Sequence, residues 1–173
     1  MQDCLMLPHD VFASVVRHAP LVSIDLVIRN PHGEILVGLR CNRPAQGYWF
    51  VPGGRIGKGE RIAEAFGRIA RAEIGIEHRI EAATFLGVFD HIYPDNFSGD
   101  PSFGTHYVVL GYAFTADSTA LAPPPDQHHT YLWLPETDLV AREDVHEYTK
   151  RYVAARPRHE QYSPECGADK RGT

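Results

Sequence analysis

The stretch over residues 48–75, YWFVPGGRIGKGERIAEAFGRIARAEIG, restricts the fold of this chain more than any other. It opens as a short aromatic strand that must end at Pro52, because proline has no N–H to donate to a sheet ladder. A loop is predicted over residues 53–60. From residue 61 to 74 apolar side chains recur three and four positions apart, and Gly75 is placed to end a helix. Such a helix is amphipathic and needs a sheet against which its apolar face can pack.

The remaining apolar segments predict a mixed α/β protein. Five stretches are rich in β-forming residues: 21–29, 34–40, 79–93, 105–116 and 130–135. The first two read as a hairpin, with Pro31 and Gly33 in its turn. Short helices are predicted at residues 10–19 and 142–155, where apolar positions follow the helical period.

The length of 173 residues fits one folded domain, predicted over residues 1–156. Residues 157–173 are polar with scattered glycine and proline, so we expect this tail to be disordered. Three widely spaced cysteines, Cys4, Cys41 and Cys166, form no C-x-x-C pair, which indicates reduced thiols rather than disulfides or a zinc site.

The charge balance excludes some classes of partner. A net charge of −5 leaves no overall positive field for a nucleic-acid backbone, so no polynucleotide partner is expected. No apolar run approaches the length of a membrane span, and the first residues lack the pattern of a signal peptide. The sequence therefore predicts a cytoplasmic protein without a membrane partner.

Charged residues within the opening stretch resemble the Nudix box of nucleoside diphosphate hydrolases. The matching positions are Gly54, Glu60, Arg68, Glu73 and Gly75. They directly follow a strand and run into a helix, which is the setting that gives such a motif its weight. The resemblance implies chemistry on a diphosphate.

The box departs from the usual pattern at two positions. Ile69 and Ala72 stand where a typical box has glutamates, so Glu73 alone remains of three clustered carboxylates. Three carboxylates within one helical turn would gather several divalent cations, whereas one suits a single Mg²⁺ that also takes water and phosphate oxygens as ligands. The alternative is that Glu73 is a solvated charge beside Arg71.

Further segments narrow the resemblance. NRPAQGYWFVPGGR before the box, and DNFSG, THYVVLGY and DQHH after it, are similar to the GDP-mannose mannosyl hydrolases, an atypical branch of the Nudix family, over residues 8–155. The resemblance implies the Nudix fold, a mixed β-sheet sandwiched between helices, and a homodimer with one Mg²⁺ per subunit, replaceable by Mn²⁺. It also implies hydrolysis of GDP-mannose or GDP-glucose to GDP and free sugar, by attack of water at the anomeric carbon with inversion.

The resemblance also implies a metal site and a base. The metal ligands are the Gly53 carbonyl, the Glu73 carboxylate and the Gln127 side chain, all of them hard oxygens as Mg²⁺ requires. The base is His128, because a neutral imidazole accepts a proton at cellular pH. The adjoining His129 leaves the register open, and a surface histidine in a proline-rich loop is the alternative.

Substrate contacts are implied at six positions. Arg40, Arg55 and Arg68 match the family's positions around the diphosphate, where a guanidinium can bridge two phosphate oxygens. For Arg68 the alternative is a helix salt bridge with Glu64.

The residues implied for the sugar are Asp25, His91 and Tyr107. Asp25 interrupts an apolar strand, and its alternative is an outward-facing position on an edge strand. His91 and Tyr107 flank a glycine-rich loop, and Tyr107 has cross-strand packing as its alternative. Phe12, from a partner subunit, is the candidate for stacking on guanine.

Two other functions compete with this one. A conventional Nudix pyrophosphatase would cleave a nucleotide sugar between its phosphates, but attack at phosphorus favours the carboxylates that this box lacks. A sensor would keep the fold and bind nucleotide sugars without turnover, because a fold alone does not prove an activity.

Overall fold

The structure is a computed structural model that describes residues 7–117, 119, 121 and 128–155. The helices in this part of the chain are α1 (His9–His18), α2 (Ile62–Ile74), α3 (Glu136–Ala141) and α4 (Glu147–Ala154), with a 3₁₀ turn at Ile80–Ala82. The strands are β1 (Leu21–Arg29), β2 (Ile35–Arg40), β3 (Trp49–Phe50), β4 (Gly53–Arg55), β5 (Thr84–Tyr93), β6 (Thr105–Thr115) and β7 (His128–Leu134).

All seven strands join one mixed sheet. The main order is β3-β2-β1-β6-β5, while β4 pairs with β1 and β7 pairs with β2. Only β1 and β6 run parallel among these strand pairs. The predicted hairpin is confirmed, because β1 and β2 pair antiparallel with Arg29 opposite Ile35. Strand β1 is thus central, and its side chains reach both faces of the sheet.

Helices cover both faces, as the fold prediction required. On one face Ile24, Leu26 and Ile28 of β1 pack with the apolar side of α2, including Phe66 and Ile69. Burying side chains of this size stabilises the fold by about 1.5–3 kcal/mol each.

On the opposite face Val27 lies in a second cluster with Leu139 of α3 and Tyr152 of α4. The mixed sheet sandwiched between helices is confirmed.

Helix α2 begins and ends where the sequence predicts. The Arg61 N–H donates to the Glu64 side chain at 3.1 Å, which satisfies one of the free donors of the first turn. Gly75 ends the helix with φ 73°, a left-handed conformation that glycine adopts without a steric cost.

Residues 53–60 are not wholly a loop, which corrects the prediction. Gly53–Arg55 forms strand β4 and pairs with residues 23–25 of β1. The absence of side chains makes this possible, because a Cβ on Gly53 would collide with the Asp25 carboxylate. The loop is therefore shorter than predicted.

The last helix begins later than predicted. Before Glu147, residues 143 and 144 form a turn and Val145 bridges to Trp49, whose indole N–H donates to Asp144 at 3.1 Å. Helix α3 was not predicted at all. Its six residues are too few to show a helical period.

Within the described ranges, no helix has the length and apolar character needed to cross a membrane. The predicted tail over residues 157–173 lies outside those ranges.

Candidate active site

Asp25 and Gly53 face each other across the β1–β4 pairing. Because β1 is the central strand, the alternative that Asp25 sits on an edge strand is wrong. Its Oδ2 accepts a hydrogen bond of 2.7 Å from the Tyr152 hydroxyl. Burial raises the pKa of Asp25 to about 6; the Tyr152 hydrogen bond and the charge of Arg40 oppose this shift, and the charge of Glu73 adds to it.

Glu73 is a buried carboxylate, with 6% of the residue exposed, so the alternative of a solvated charge beside Arg71 is wrong. Burial is the main cause that raises the pKa of Asp25, and the charge of Glu73 is a smaller one. For Arg68 the main cause of the raised pKa is the hydrogen bond to Glu60, and the charge of Glu73 again adds a smaller effect. The charge of Glu73 therefore acts both on Asp25 of β1 and on Arg68 of its own helix.

The other two carboxylate positions of the box carry no acid. Ile69 is 1% exposed and packs in the α2 core, where its Cγ1 lies 3.1 Å from the place of a Cβ on Gly54. Ala72 brings no ligand atom on its side chain. In the part of the chain that the structure describes, no three His, Cys, Asp or Glu side chains gather as a metal cluster.

The loop before α2 is fastened to it by an ion pair, the Glu60–Arg68 clamp. Arg68 donates to both oxygens of Glu60, at 2.6 and 2.8 Å, and to the Arg55 carbonyl at 2.8 Å. Glu60 also accepts from the Gly57 N–H at 2.7 Å. The hydrogen bond from Arg68 lowers the pKa of Glu60. The predicted alternative partner of Arg68, Glu64, binds the start of the helix instead.

Two arginines lie over aromatic rings beside Asp25. The Arg40 guanidinium is 5.2 Å from the centre of the Phe50 ring, and that of Arg55 is 4.1 Å from the centre of the Phe12 ring. Such contacts hold a guanidinium in place without neutralising it. Burial raises the pKa of Tyr107, and both arginines oppose that shift, so both charges act on the same hydroxyl. Arg40, Arg55 and Tyr107 thus form one positive region.

His91 is buried next to Asp25. It lies opposite Tyr107 in the β5–β6 pairing and stacks on Tyr148 at a centroid distance of 4.2 Å. Burial, followed by the charges of His146, Arg151 and Arg40, lowers the pKa of His91 to about 3. The imidazole is therefore neutral at neutral pH.

Asp25, His91, Tyr148 and Tyr152 are together called the polar cluster below. Sequence reasoning missed the two tyrosines of α4. Their spacing of four places both on one helix face, which was the available signal, but it does not reveal their partners.

The geometry of residues 53–75 is that of a strand, a clamped loop and a helix with one buried carboxylate, Glu73. Residues 19–156 match the family model described as the NUDIX domain. The chain belongs to the Nudix hydrolase family.

Three similar Nudix-like proteins illustrate the range of the likeness. The low-salt glycan biosynthesis protein Agl8 of Haloferax volcanii is 38% identical over 149 residues, covering 86% of this chain and 90% of that protein. A MutT Nudix hydrolase from Burkholderia pseudomallei is 29% identical, with a TM-score of 0.65 over 80% of this chain and 98% of that one. A MutT protein from Methanosarcina mazei Go1, 18% identical, has a TM-score of 0.62 over 79% and 93% and supports the fold.

A cavity of about 360 Å³ opens on this Nudix domain near the Phe50 ring, and its lining does not include Arg40 or the predicted sugar contacts. Its lining includes Arg43, Gln46, Tyr48, Tyr93, Asp95 and His146. Two of these residues pack on the ring beneath Arg40, since His146 lies 4.6 Å and Tyr93 6.5 Å from Phe50. The cavity offers ring faces together with donors and acceptors, a combination suited to a polar small molecule.

The structure thus brings together Asp25, Gly53, Glu73, His91, Arg40, Arg55 and Tyr107, while Arg68 serves the clamp beside them. The β2–β7 pairing sets the backbone of His128 opposite Arg40. Gln127 and the side chains of His128 and His129 lie outside the described part of the chain. The base and all three metal ligands stay predictions.

Proposed function

We propose that this Nudix hydrolase converts GDP-mannose or GDP-glucose to GDP and the free sugar, by attack of water at the anomeric carbon with inversion. One observation carries the proposal. Of the three carboxylate positions of the box only Glu73 bears an acid, and the buried Ile69 fills the core at another. The box is therefore depleted by packing as well as by composition.

The depletion separates attack at carbon from attack at phosphorus. A conventional Nudix pyrophosphatase gathers metal ions that generate a hydroxide and aim it at phosphorus. Hydrolysis at the sugar carbon instead requires that charge be neutralised on the departing diphosphate and that one base remove a proton from water. A site with a single box carboxylate and several arginines matches the second requirement.

The residues present fit a single Mg²⁺. Glu73 and the Gly53 carbonyl would hold it together with Gln127, and all three supply the oxygen ligands that Mg²⁺ prefers. The charge of Glu73 raises the pKa of Asp25, which marks a concentration of negative charge that a divalent cation would relieve. When bound, Mg²⁺, or Mn²⁺ in its place, would neutralise charge on the diphosphate.

The protein's own groups supply the remaining functions. Arg40 and Arg55 bind the diphosphate, and their aromatic supports keep the two guanidinium groups oriented before the substrate arrives. The Glu60–Arg68 clamp holds the Arg55 carbonyl and so fixes the strand that carries this arginine.

Asp25, His91 and Tyr107 bind the hexose hydroxyls. His128 removes the proton from the attacking water, so the oxygen bonds to the anomeric carbon while the bond from that carbon to the diphosphate oxygen breaks. Water and imidazole stand on the face opposite the diphosphate, which gives inversion.

Two further points complete the proposal. The relative from Haloferax volcanii is named for glycan biosynthesis, a process that uses activated sugars, and this favours a sugar nucleotide over other diphosphates. We expect a homodimer with one Mg²⁺ in each subunit.

The test is product analysis in ¹⁸O-labelled water with GDP-mannose, Mg²⁺ and the full chain. The proposal expects GDP and free mannose that carries the label. Production of GMP and mannose 1-phosphate would show attack at phosphorus, and absence of any product despite tight GDP-mannose binding would indicate a sensor. Parallel reactions with GDP-glucose decide between the two sugars.

A further inference from the structure

We propose that Tyr152, on the last helix α4, is a positioning residue that holds the Asp25 carboxylate in the orientation in which it meets the hexose. This inference rests on the proposed function, because the sugar gives Asp25 its task. It gives α4, the last helix of the described residues, a role in orienting a substrate contact.

The hydrogen bond between the two residues is well defined. The Tyr152 hydroxyl donates to Asp25 Oδ2 at 2.7 Å, a short distance typical of a hydroxyl bound to a carboxylate. The other oxygen, Oδ1, faces the backbone of Gly53, where even a Cβ would collide with it. The carboxylate is held from both sides and has little freedom to rotate.

The tyrosine ring that carries this hydroxyl is itself immobilised. Tyr152 is 2% exposed and meets the Phe89 ring edge to face at 4.8 Å. A Cβ on Gly111 would lie 3.1 Å from its ring, so β6 approaches it closely from beneath. The hydroxyl position is thus fixed by packing from β5 and β6.

The same hydroxyl reaches a second predicted sugar contact. Its oxygen lies 3.4 Å from His91 Nε2. Because the only hydroxyl hydrogen goes to Asp25, the oxygen acts as the acceptor, which assigns the proton of the neutral imidazole to Nε2. Tyr152 therefore connects Asp25 of β1 with His91 of β5 through one atom.

Packing alone does not explain this hydroxyl. A phenylalanine would fill the same ring volume without burying a polar group that must then find a partner. Asp25 is no better explained by stability, because it interrupts a strand whose neighbours Ile24 and Leu26 are fully buried. The buried hydroxyl is explained by its bond to the Asp25 carboxylate, and the carboxylate is explained if it binds a ligand.

The experiment is a double-mutant cycle of Asp25→Asn, Tyr152→Phe and the double variant, assayed on GDP-mannose with Mg²⁺. We expect Tyr152→Phe to lower kcat/KM by roughly 10- to 100-fold, because a displaced contact weakens transition-state binding. The Kd for GDP should stay within twofold, since GDP lacks the sugar. The double variant should be little slower than Asp25→Asn, because the short bond to Asp25 carries most of the effect of Tyr152 and the contact with His91 is the longer one.

The control variant is Tyr112→Phe, which removes a buried tyrosine hydroxyl from β6 on the other face of the sheet. Tyr112 is 3% exposed and packs in the core cluster with Phe66 of α2, away from Asp25 and His91. We expect a lower Tm and a kcat/KM within about threefold of wild type.

Two outcomes would overturn the inference. One is wild-type kcat/KM in Tyr152→Phe; the other is multiplication of the two single effects in the double variant, which would show independent roles. Failure of the wild type to hydrolyse both GDP-mannose and GDP-glucose would refute the proposed function instead, and if only GDP-glucose is hydrolysed the cycle is run on that substrate. Crystal structures of wild type and Tyr152→Phe then decide the positioning role, which requires that the Asp25 carboxylate turn away in the variant.

Discussion

The Glu60–Arg68 clamp and the polar cluster border the same β1–β4 strand pair, yet they are built from different interactions. The clamp is a charged, two-pronged pair within eight positions of the chain, and the Arg68 side chain remains 38% exposed. The polar cluster is buried and consists of neutral hydrogen-bonding groups and stacked rings around one carboxyl. Its hydrogen bond between Tyr152 and Asp25 joins residues that are 127 positions apart in the sequence.

The difference shows which half of the site a sequence motif can predict. The clamp joins residues that are close in the sequence, so their spacing is visible as a sequence motif. The polar cluster depends on which strands become neighbours, and no local pattern records that. The two halves should also respond differently to acid and to salt, which offers ways to separate them.

The largest effect is expected at Glu73, whose charge acts on both halves. Glu73→Gln should lower Mg²⁺-dependent kcat by on the order of 10²- to 10³-fold, because a neutral amide binds the cation poorly and leaves the diphosphate charge unbalanced. Steady-state rates across an Mg²⁺ titration measure this. Glu77→Gln, at an exposed position, is the matched control. An equal loss of kcat in that variant would contradict a role for Glu73 in metal binding.

The next effect concerns the base, which belongs to neither half. His128→Ala should slow the chemical step by on the order of 10²-fold or more, because water would then lose its proton acceptor. His129→Ala, the adjoining position, should leave single-turnover rates near those of wild type. If the two variants exchange behaviour, the base is His129, and unchanged rates in both would exclude both histidines as the base.

Acid should weaken the polar cluster before it weakens the clamp. The pKa of His91 is about 3 in the folded protein, against an ordinary value of 6.5, so the unfolded chain binds the proton first. The contribution of His91 to stability is then lost as the pH falls from about 6.5 toward 3, whereas the raised pKa of Asp25 acts in the opposite direction between about pH 6 and 3.8. Relative to His91→Phe, wild type should lose about 3 kcal/mol of unfolding free energy at pH 4.

Urea unfolding between pH 8 and pH 4 measures this difference, with pH 8 as the baseline at which the histidine is neutral in both states. Parallel curves for wild type and His91→Phe would contradict a buried neutral imidazole.

The smallest effect is expected from the clamp. Glu60→Gln keeps the shape but removes the charge that Arg68 binds, and partial exposure limits the loss to about 1 kcal/mol. The pKa of Glu60 is lowered in the fold, so the pair stabilises above about pH 4.5 and its contribution disappears as the pH falls further. Thermal unfolding with and without 1 M NaCl measures it: salt should narrow the gap between wild type and variant, and a gap that grows with salt would contradict an exposed ion pair.

Much of the fold followed from the sequence. The hairpin at residues 21–40, the helix that ends at Gly75 and the mixed α/β character depend on local periodicity and turn chemistry, and all three are confirmed. Strand β4 was missed because two glycines read as a loop, while their lack of side chains is what admits them beside Asp25. Helix α3 was too short to show a period.

The candidate site was only partly visible in the sequence. Clamp and carboxylate could be located because they lie in one continuous motif, although the partner of Arg68 was expected as a possible Glu64 and is Glu60. The role of α4 depends on a tertiary contact between its two tyrosines and strands formed much earlier in the chain. Hydrophobic pattern predicts that such a helix packs, but not which buried acid its hydroxyl meets.

The parallel pairing of β1 with β6 and the docking of α4 have a consequence for the order of events during synthesis. Strand β1 leaves the ribosome early, yet its neighbour β6 and the tyrosine that binds Asp25 are made more than 80 and 120 residues later. Long-range contacts of this kind form slowly, because a large loop must close before they contribute any stability. A nascent chain thus holds an unpartnered acid in its first strand until nearly the whole domain has emerged, and the site matures in one late step.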